Sequence, residues 1–487
     1  MPEEKRALGS VKYETVDKVE YLGKRALQRH ARVLHLWALG VGAVISGEYF
    51  GWNFGLDAGG FWGLSIATIV ITIMYFGLVY SIAEMSPALP HTGAAYSFAR
   101  SSWGPYGGYI TGLAENMEYI LTPAVIVVGV GGYLDAIFPG VLPQPVWWAI
   151  CYLVFTGLNI WGVAISFRFA VLITLMAIAI LLVFYISAIP YVDFTRWALA
   201  VQPTPGNTSL LPKGIFGIFA ALPFAIWFYL AIEELPLAAE ETMDPKRDIP
   251  KGIILGMITL TVLAFAVLFF NSAISPGAAV IGTSSAPLND GFKTIFGKGI
   301  GTAVLSLIAL AGLIASFHTI IFAYGRQIYS LSRAGYFPRF FSLTLKERKT
   351  PHIALITGSV MGFLTALVIF LLPKESPAGA ILLNMAVFGA VISYALQMLS
   401  FILLRIRRPE IERPYRSPLG IPGAAIAGGI AVVTFVTLFT VPAYRPVMIG
   451  VAVWYVLGLL YFVLIGRHRL VAQAPEEEFA LLGEVGR

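Results

Sequence analysis

Twelve apolar stretches follow one another along this chain of 487 residues. Each is close to the ~20 residues that an α-helix needs to cross a bilayer. They cover residues 33–56, 61–83, 107–134, 146–163, 168–190, 214–235, 252–274, 300–325, 353–372, 379–404, 421–441 and 446–466. A spanning segment has to satisfy its own backbone polar groups in lipid, so we expect each stretch to be helical. The sequence therefore predicts an all-α polytopic membrane protein with twelve transmembrane helices.

The distribution of lysine and arginine predicts which way these helices run. With both termini on one side of the membrane, 27 of the 33 basic residues fall on that side and 6 on the other. Basic residues favour the cytoplasmic side, which predicts cytoplasmic tails over residues 1–32 and 467–487 and an inner-membrane location. The net charge of +6 is then a topology signal, and no nucleic-acid partner is expected.

Helix-breaking residues recur in the first and the sixth stretch. The first contains Gly42, Gly47 and Gly51, and in the sixth Pro223 and Pro236 bracket the segment between them. Interrupted helices at matched positions are typical of inverted repeats with a binding site at the midplane. We therefore predict that helices 1 and 6 unwind there. The expected division is a first repeat at 33–190, a second repeat at 214–404 and two further helices at 421–466.

Acidic residues inside or at the edge of the apolar stretches are the strongest functional signal. There are six, and no lysine or arginine lies deep in the first six stretches: Glu48, Glu84, Glu115, Glu118, Glu233 and Glu234. A charge at membrane depth costs roughly 2.5–3.5 kcal/mol on insertion scales. Such acids have to be protonated, meet a bound cation or face water. The pattern predicts a site for a small cationic amine, with a proton as the coupling ion.

The roles of the individual acids stay open at this point. Glu48 follows a glycine and is the first candidate for the cation; the alternative is a protonated acid bonded to backbone. Glu115 and Glu118 are three residues apart and share one helix face, so one, with a slight preference for Glu115, is expected to face the cavity and the other a polar neighbouring helix. Glu233 and Glu234 are adjacent and point about 100° apart on a regular helix. Glu233 is the choice for the site.

Other side chains suggest supporting roles. Trp227, Phe228 and Tyr229 precede Glu233 and could close over an ammonium group by cation–π attraction, although ordinary packing is the alternative. His318 could relay protons or be a satisfied structural histidine. Ser316 and Thr319 could offer oxygens to sodium, but hydroxyls at this spacing often bond to their own helix.

Motifs of known enzyme chemistry are missing from the sequence. It has no Walker motif, no His-Glu-x-x-His and no Gly-x-Ser-x-Gly. The one cysteine, Cys151, rules out a multi-cysteine metal site within the chain. We therefore expect gradient-driven transport with no cofactor and no enzymatic activity.

Four segments resemble those of a known family. Residues 42–50, GAVISGEYF, resemble the first-helix signature of the amino acid–polyamine–organocation transporters. The segments IAEMSPALPHTGAAY (82–96), AAEETMDPKRDIP (238–250) and SRAGYFP (332–338) are similar to three loops of that family. The resemblance covers essentially the whole chain. It implies the leucine-transporter-like fold, with two inverted five-helix repeats and two extra helices.

Within that family, residues 45–53 (ISGEYFGWN) and 112–119 (GLAENMEY) resemble the bacterial ethanolamine permeases. In amino acid carriers of the family, Gly-Ser-Gly amides receive the substrate carboxylate. Here an acid, Glu48, replaces the third glycine, which disfavours a carboxylate and favours an ammonium. By the same resemblance Trp227 is a gating aromatic and Glu233 the acid after the break in helix 6.

The resemblance also bears on coupling. Some members carry a lysine in helix 5 that stands in for sodium, but residues 172–178, LITLMAI, contain none. The coupling candidates are therefore Glu48, Glu233 and His318. The expected substrate-binding residues are Ser46, Gly47, Glu48, Glu115, Glu118, Trp227, Phe228, Ala231 and Glu233.

The predicted function is import of a small organic amine, ethanolamine above all, by alternating access. The first alternative is a permease or exchanger of amino acids or polyamines on the same fold. The second is a non-transporting sensor.

Overall fold

A computed structural model describes residues 6–8, 11–138, 140–297, 299–371, 378–440 and 445–485. The outermost residues of both predicted tails and the predicted helix ends at 372 and 441 lie outside the described residues. Over its described residues, each of the twelve apolar stretches is mostly helical. The prediction of an all-α polytopic membrane protein is confirmed.

The elements are, in chain order, β1 Arg6–Leu8, β2 Val11–Glu14, α1 Lys18–Gly23, α2 Val33–Val44, α3 Ser46–Tyr49, α4 Phe54–Ala88, α5 Ala94–Trp103, α6 Pro105–Ile137, α7 Gln144–Trp161, α8 Val163–Ala188, α9 Phe194–Trp197, α10 Gly214–Ile226, α11 Pro245–Ser272, α12 Ala278–Ile281, α13 Pro287–Phe296, α14 Ile300–Arg333, α15 His352–Leu371, α16 Ala378–Arg407, α17 Gly420–Thr440, α18 Arg445–Leu464, β3 Leu470–Val471 and α19 Pro475–Val485. A 3₁₀ helix, Ile232–Glu241, lies between α10 and α11.

Length and composition support a membrane setting for these helices. Eight helices in the described part of the chain are long and apolar enough to cross a membrane. Three further apolar helices are shorter, namely Val33–Tyr49, Gly214–Ile226 and His352–Val368. Large apolar side chains such as Leu172, Val262 and Val456 are exposed on the outside of the bundle. Such a surface suits lipid, which does not penalise apolar exposure.

The first apolar stretch is broken, as predicted, and it does not continue as one helix to the predicted end at residue 56. The helix is interrupted at Ile45 and ends at Tyr49, and residues 54–56 already belong to α4. Gly51, between the two, adopts a φ of +100°, which only glycine adopts without strain. A second bend follows inside α4 at Gly60, with a φ of +71°.

The sixth stretch is also broken, as predicted. Helix α10 ends at Ile226, and the 3₁₀ helix starts at Ile232, so the chain between them is irregular. Ala231 adopts the left-handed conformation with a φ of +81°. A residue with a Cβ is rarely found there outside functional or tightly constrained segments.

Both tails are structured and lie together at one end of the bundle, which we call the tail face. Strands β1 and β2 pair antiparallel, and β2 pairs parallel with β3, so that Tyr13 lies opposite Leu470. The sequence predicts the tails only as cytoplasmic segments and predicts no strands within them. Strands this short carry almost no periodic signal, and their pairing joins residues more than 450 positions apart in sequence.

Candidate functional site

The interruption in the first span is held by a serine from α14. The Ser46 backbone N–H donates to Ser316 Oγ at 2.8 Å, and Ser316 Oγ donates to the Gly42 carbonyl at 2.8 Å. The hydroxyl therefore replaces the i→i−4 hydrogen bond that a continuous helix would form between Ser46 and Gly42. A side chain inserted into the ladder is a recognised cause of helix distortion.

Gly47 marks the closest approach of the two broken segments. An ideal Cβ at this position would overlap the Trp227 carbonyl oxygen. Glycine is thus required by close contact between α3 and the irregular segment after α10. The sequence predicts that Gly47 weakens the helix, whereas the structure assigns it a packing role.

Glu48 is buried and has no hydrogen-bond partner in the structure. Its side chain is 0% exposed and neither carboxylate oxygen is bonded. Tyr49, Tyr185 and Tyr229 lie within electrostatic range of it. A carboxylate in this setting is available to a cation that enters the bundle.

Aromatic rings line the irregular segments near Glu48. Trp52 stacks on Phe228 with ring centroids 5.5 Å apart, and both are buried. The Trp227 ring lies against Gly51. Tyr229 shares a 2.7 Å hydrogen bond between its hydroxyl and that of Thr72. Rings in this position can surround an ammonium group.

Four of the other five acids form a second group, around Glu233. Glu115, Glu118 and Glu234 each lie within electrostatic range of Glu233. All four are at most 2% exposed. Neither oxygen of Glu234 has a hydrogen-bond partner, whereas the Glu233 carboxyl lies within hydrogen-bonding reach of the Glu118 carboxyl. Glu115 and Glu233, both site candidates from the sequence, therefore lie near each other. Tyr75, near Glu233, and Tyr229, near Glu48, pack with their rings tilted by 44° and their centroids 5.1 Å apart.

Sequence reasoning missed two partners of this second group. Gln327 Nε2 donates to Glu115 Oε2 at 2.7 Å, and the Tyr394 hydroxyl approaches Glu118 Oε1 at 3.5 Å. Gln327 lay beyond the predicted end of the eighth stretch at 325, whereas α14 runs to Arg333. A glutamine two residues past an apolar run, followed by more helix-forming residues, was the available signal.

His318 lies in a fully bonded polar cluster between α7, α8 and α14. Its Nδ1 is 3.2 Å from Asn159 Nδ2, and its Nε2 is 3.1 Å from Ser166 Oγ. Ser316 and Thr319 use their hydroxyls on backbone carbonyls, Thr319 on Ala315 of its own helix. This arrangement does not place His318 against either group of acids.

Of the six acids, Glu84 is the one for which the prediction of no nearby lysine or arginine is wrong. It accepts hydrogen bonds from Arg405 at 2.8 and 2.5 Å and lies 3.2 Å from Arg413 Nε. The Ser417 backbone N–H donates to it as well. These partners come from the end of α16 and from the loop between α16 and α17, more than 320 positions away. An inspection of the first six stretches alone could not find them.

Comparison with known proteins identifies the family. A family model described as amino acid permease matches residues 32–465. An uncharacterised transporter of Rhizobium meliloti (strain 1021) is 28% identical over 392 residues, which is 79% of this chain and 81% of that protein. A branched-chain amino acid permease of Bacillus subtilis (strain 168) is 24% identical over 465 residues, covering 91% and 94%.

A methylthioribose transporter of the same Bacillus strain is 24% identical over 471 residues, covering 92% of this chain and 95% of that protein. The names of these relatives are those of membrane transporters, which are not enzymes. The chain belongs to the amino acid permease family, within the amino acid–polyamine–organocation superfamily of secondary transporters.

Proposed function

We propose that this transporter imports a small organic amine, ethanolamine above all, across the inner membrane. The observation that carries the proposal is Glu48, which is 0% exposed, has no hydrogen-bond partner and lies at the interruption of the first span. No ion pair among the described residues involves it. A bound ammonium group would supply the missing positive charge, and the neighbouring rings would add cation–π attraction.

Alternating access follows from the two broken spans. In the proposed cycle the segments around Ser46–Tyr49 and Trp227–Ala231 enclose the amine. The two broken helices, one from each proposed repeat (residues 33–190 and 214–404), then rock against the remaining helices and open the site inward. The positive-charge asymmetry supports cytoplasmic tails.

Protons are the proposed coupling ion. Glu233 and its neighbours supply carboxyl groups without cations, whereas the His318 ring nitrogens are engaged by Asn159 and Ser166. The hydroxyls of Ser316 and Thr319 are bonded to backbone carbonyls, which leaves them less available to sodium.

A rival on the same fold is transport of intact amino acids. The names of relatives favour it, since they include a branched-chain amino acid permease and a D-serine/D-alanine/glycine transporter. The acid at position 48 argues against it, because a buried carboxylate repels the α-carboxylate of an amino acid.

The test is uptake of labelled ethanolamine by the purified protein in liposomes, with and without an inward proton gradient. Glu48→Gln should lower uptake by about 100-fold or more, since the buried charge that faces the ammonium is lost. The matched control is Glu412→Gln, an exposed glutamate that should leave uptake unchanged. Retained saturable uptake by Glu48→Gln would refute the site.

Competition decides between the amine and its rivals. Excess serine, leucine or putrescine should not displace labelled ethanolamine. Displacement by an amino acid would establish the rival, and absence of uptake with every compound would favour a sensor. Ligand-dependent thermal stabilisation across the same compounds provides an independent measure of binding.

A further inference from the structure

We propose that the C-terminal helix α19 is a latch that holds the tail face closed by inserting two glutamates into the bundle. This inference rests on the alternating access of the proposed function but not on its substrate. Helix α19 packs on α5 and begins with three consecutive glutamates, Glu476, Glu477 and Glu478. The first two are buried and the third is exposed.

Glu477 joins α5 to both tails. Arg100 Nε donates to its Oε2 at 2.7 Å, and both side chains are 0% exposed. The Tyr13 hydroxyl from β2 donates to Oε2 at 3.0 Å, and the Tyr336 hydroxyl donates to Oε1 at 2.8 Å. One tail carboxylate is thus the common acceptor for three separate parts of the chain.

Glu476 is linked to the broken sixth span through Arg333. It accepts from Arg333 Nη2 at 2.6 Å and from Ser330 Oγ at 2.6 Å. Arg333 also donates to Glu240, at the end of the 3₁₀ helix that follows the break, at 2.7 and 2.5 Å. The Thr92 backbone N–H, in the loop before α5, donates to the same Glu240 carboxylate at 3.0 Å.

These contacts join parts of the chain that have to separate when the tail face opens. They connect the 3₁₀ helix after the broken sixth span, which moves in the proposed cycle, with α14 and with the loop before α5, which lie outside the moving pair. Opening would leave Arg100 and Arg333 without the tail carboxylates, and a buried charge without its partner is strongly disfavoured. The strength of the two ion pairs therefore sets how often the tail face opens.

The experiment measures opening by alkylation, which needs no substrate. The reporter is Ser97→Cys in a Cys151→Ser background. Ser97 is 0% exposed and lies on α5 beneath Glu476, whose Cγ is 2.9 Å from an ideal Cβ at Gly93. A membrane-impermeant maleimide is applied to the tail face of the full-length protein in membranes.

The double variant Glu476→Gln/Glu477→Gln should increase the alkylation rate about tenfold or more, because two charge-assisted hydrogen-bond networks are weakened. The matched control is Glu478→Gln on the same helix. That side chain is 43% exposed and pairs with the 50% exposed Lys18, so its rate should stay within twofold of the parent. An unchanged rate in the double variant, or an equal increase in the control, would overturn the latch.

A second reporter distinguishes a latch, which controls the opening of the tail face, from a segment that only shields Ser97 from the reagent. Ser284→Cys lies at the opposite face, where the Ser284 carbonyl accepts from Asn53 Nδ2 at 2.9 Å. A shift of the population towards tail-open states should slow its alkylation as that of Ser97→Cys rises. A faster Ser97→Cys reaction with no change at Ser284→Cys would overturn the proposal.

Milder variants keep the test decisive if the double variant does not fold. Tyr336→Phe and Ser330→Ala each remove one hydrogen bond to a tail carboxylate and leave both ion pairs in place. Each should raise the Ser97→Cys rate by about two- to tenfold. No change in either variant would count against the latch. Because no amine is present, this outcome is independent of whether ethanolamine is transported.

Discussion

Two sets of buried glutamates differ in their partners. At the tail face, Glu84, Glu241, Glu476 and Glu477 are nearly or fully buried, and each is paired with an arginine. In the centre of the bundle, five glutamates are equally buried, and none takes part in an ion pair among the described residues: Glu48, Glu115, Glu118, Glu233 and Glu234.

The same residue type therefore serves two purposes. A buried carboxylate paired with a guanidinium satisfies its charge within the protein and holds elements together. A buried carboxylate without a partner destabilises the folded state while it is charged, and it is available to a ligand or a proton. The paired set ties the tails and loops to the bundle, and the unpaired set defines the candidate site.

The largest expected effect comes from breaking a pair. Glu241→Gln leaves Arg326 buried without the carboxylate that accepts from its Nε at 3.1 Å and its Nη2 at 2.8 Å. We expect a loss of about 3–5 kcal/mol of unfolding free energy. Thermal unfolding in detergent measures it, with the exposed Glu412→Gln as the control. Equal stability of the two variants would contradict the distinction between glutamates paired with an arginine and glutamates without an ion pair.

A steric substitution at the centre should have the next largest effect. Gly47→Ala places a methyl group against the Trp227 carbonyl, and overpacking of this kind costs about 1–3 kcal/mol. The methyl group would also push α3 away from the broken sixth span, so we expect uptake to be lost. Gly23→Ala, where no atom lies within 4 Å of an ideal Cβ, is the control. Full uptake by Gly47→Ala would show that this close contact is dispensable.

Neutralising an unpaired acid should change stability least among the substitutions. Glu234→Gln removes a carboxylate with no bonded oxygen, so the free energy of unfolding should change by no more than about 1 kcal/mol. The sign should be neutral or stabilising when no amine is bound. A loss comparable to that of Glu241→Gln would mean that Glu234 has a structural partner and belongs with the paired set.

The smallest effect is expected from pH at the tail face. Burial lowers the pKa of His91, which lies near Glu476, Glu240 and Arg333 and whose ring is 3.2 Å from Ser97 Oγ. A histidine whose pKa is lowered in the folded state stabilises the fold fully at pH values above its unfolded pKa of about 6.5. This contribution declines as the pH falls below that value. The melting temperature should therefore decrease slightly more on acidification than in His91→Gln. Identical slopes would show that His91 does not contribute.

Glu240 should not contribute in this range. Burial raises its pKa, but the Arg333 guanidinium and its hydrogen bonds outweigh that effect and hold the pKa at about 2. Its stabilising contribution is fully present above the unfolded pKa of 4.5 and declines as the pH falls from there towards 2. A tail-face transition that persists near pH 5 in His91→Gln would have to come from another group.

The sequence by itself determined the membrane class, the twelve helical stretches and the presence of buried acids, because apolar runs of bilayer length and isolated charges are local properties. The break in the sixth span was equally visible from Pro223 and Pro236. Tertiary structure alone decided the partners: which arginine reaches Glu84, which serine replaces a bond in the first span, and which acids lie together. Those contacts join residues hundreds of positions apart, so they depend on how the helices pack, and no local pattern carries that information.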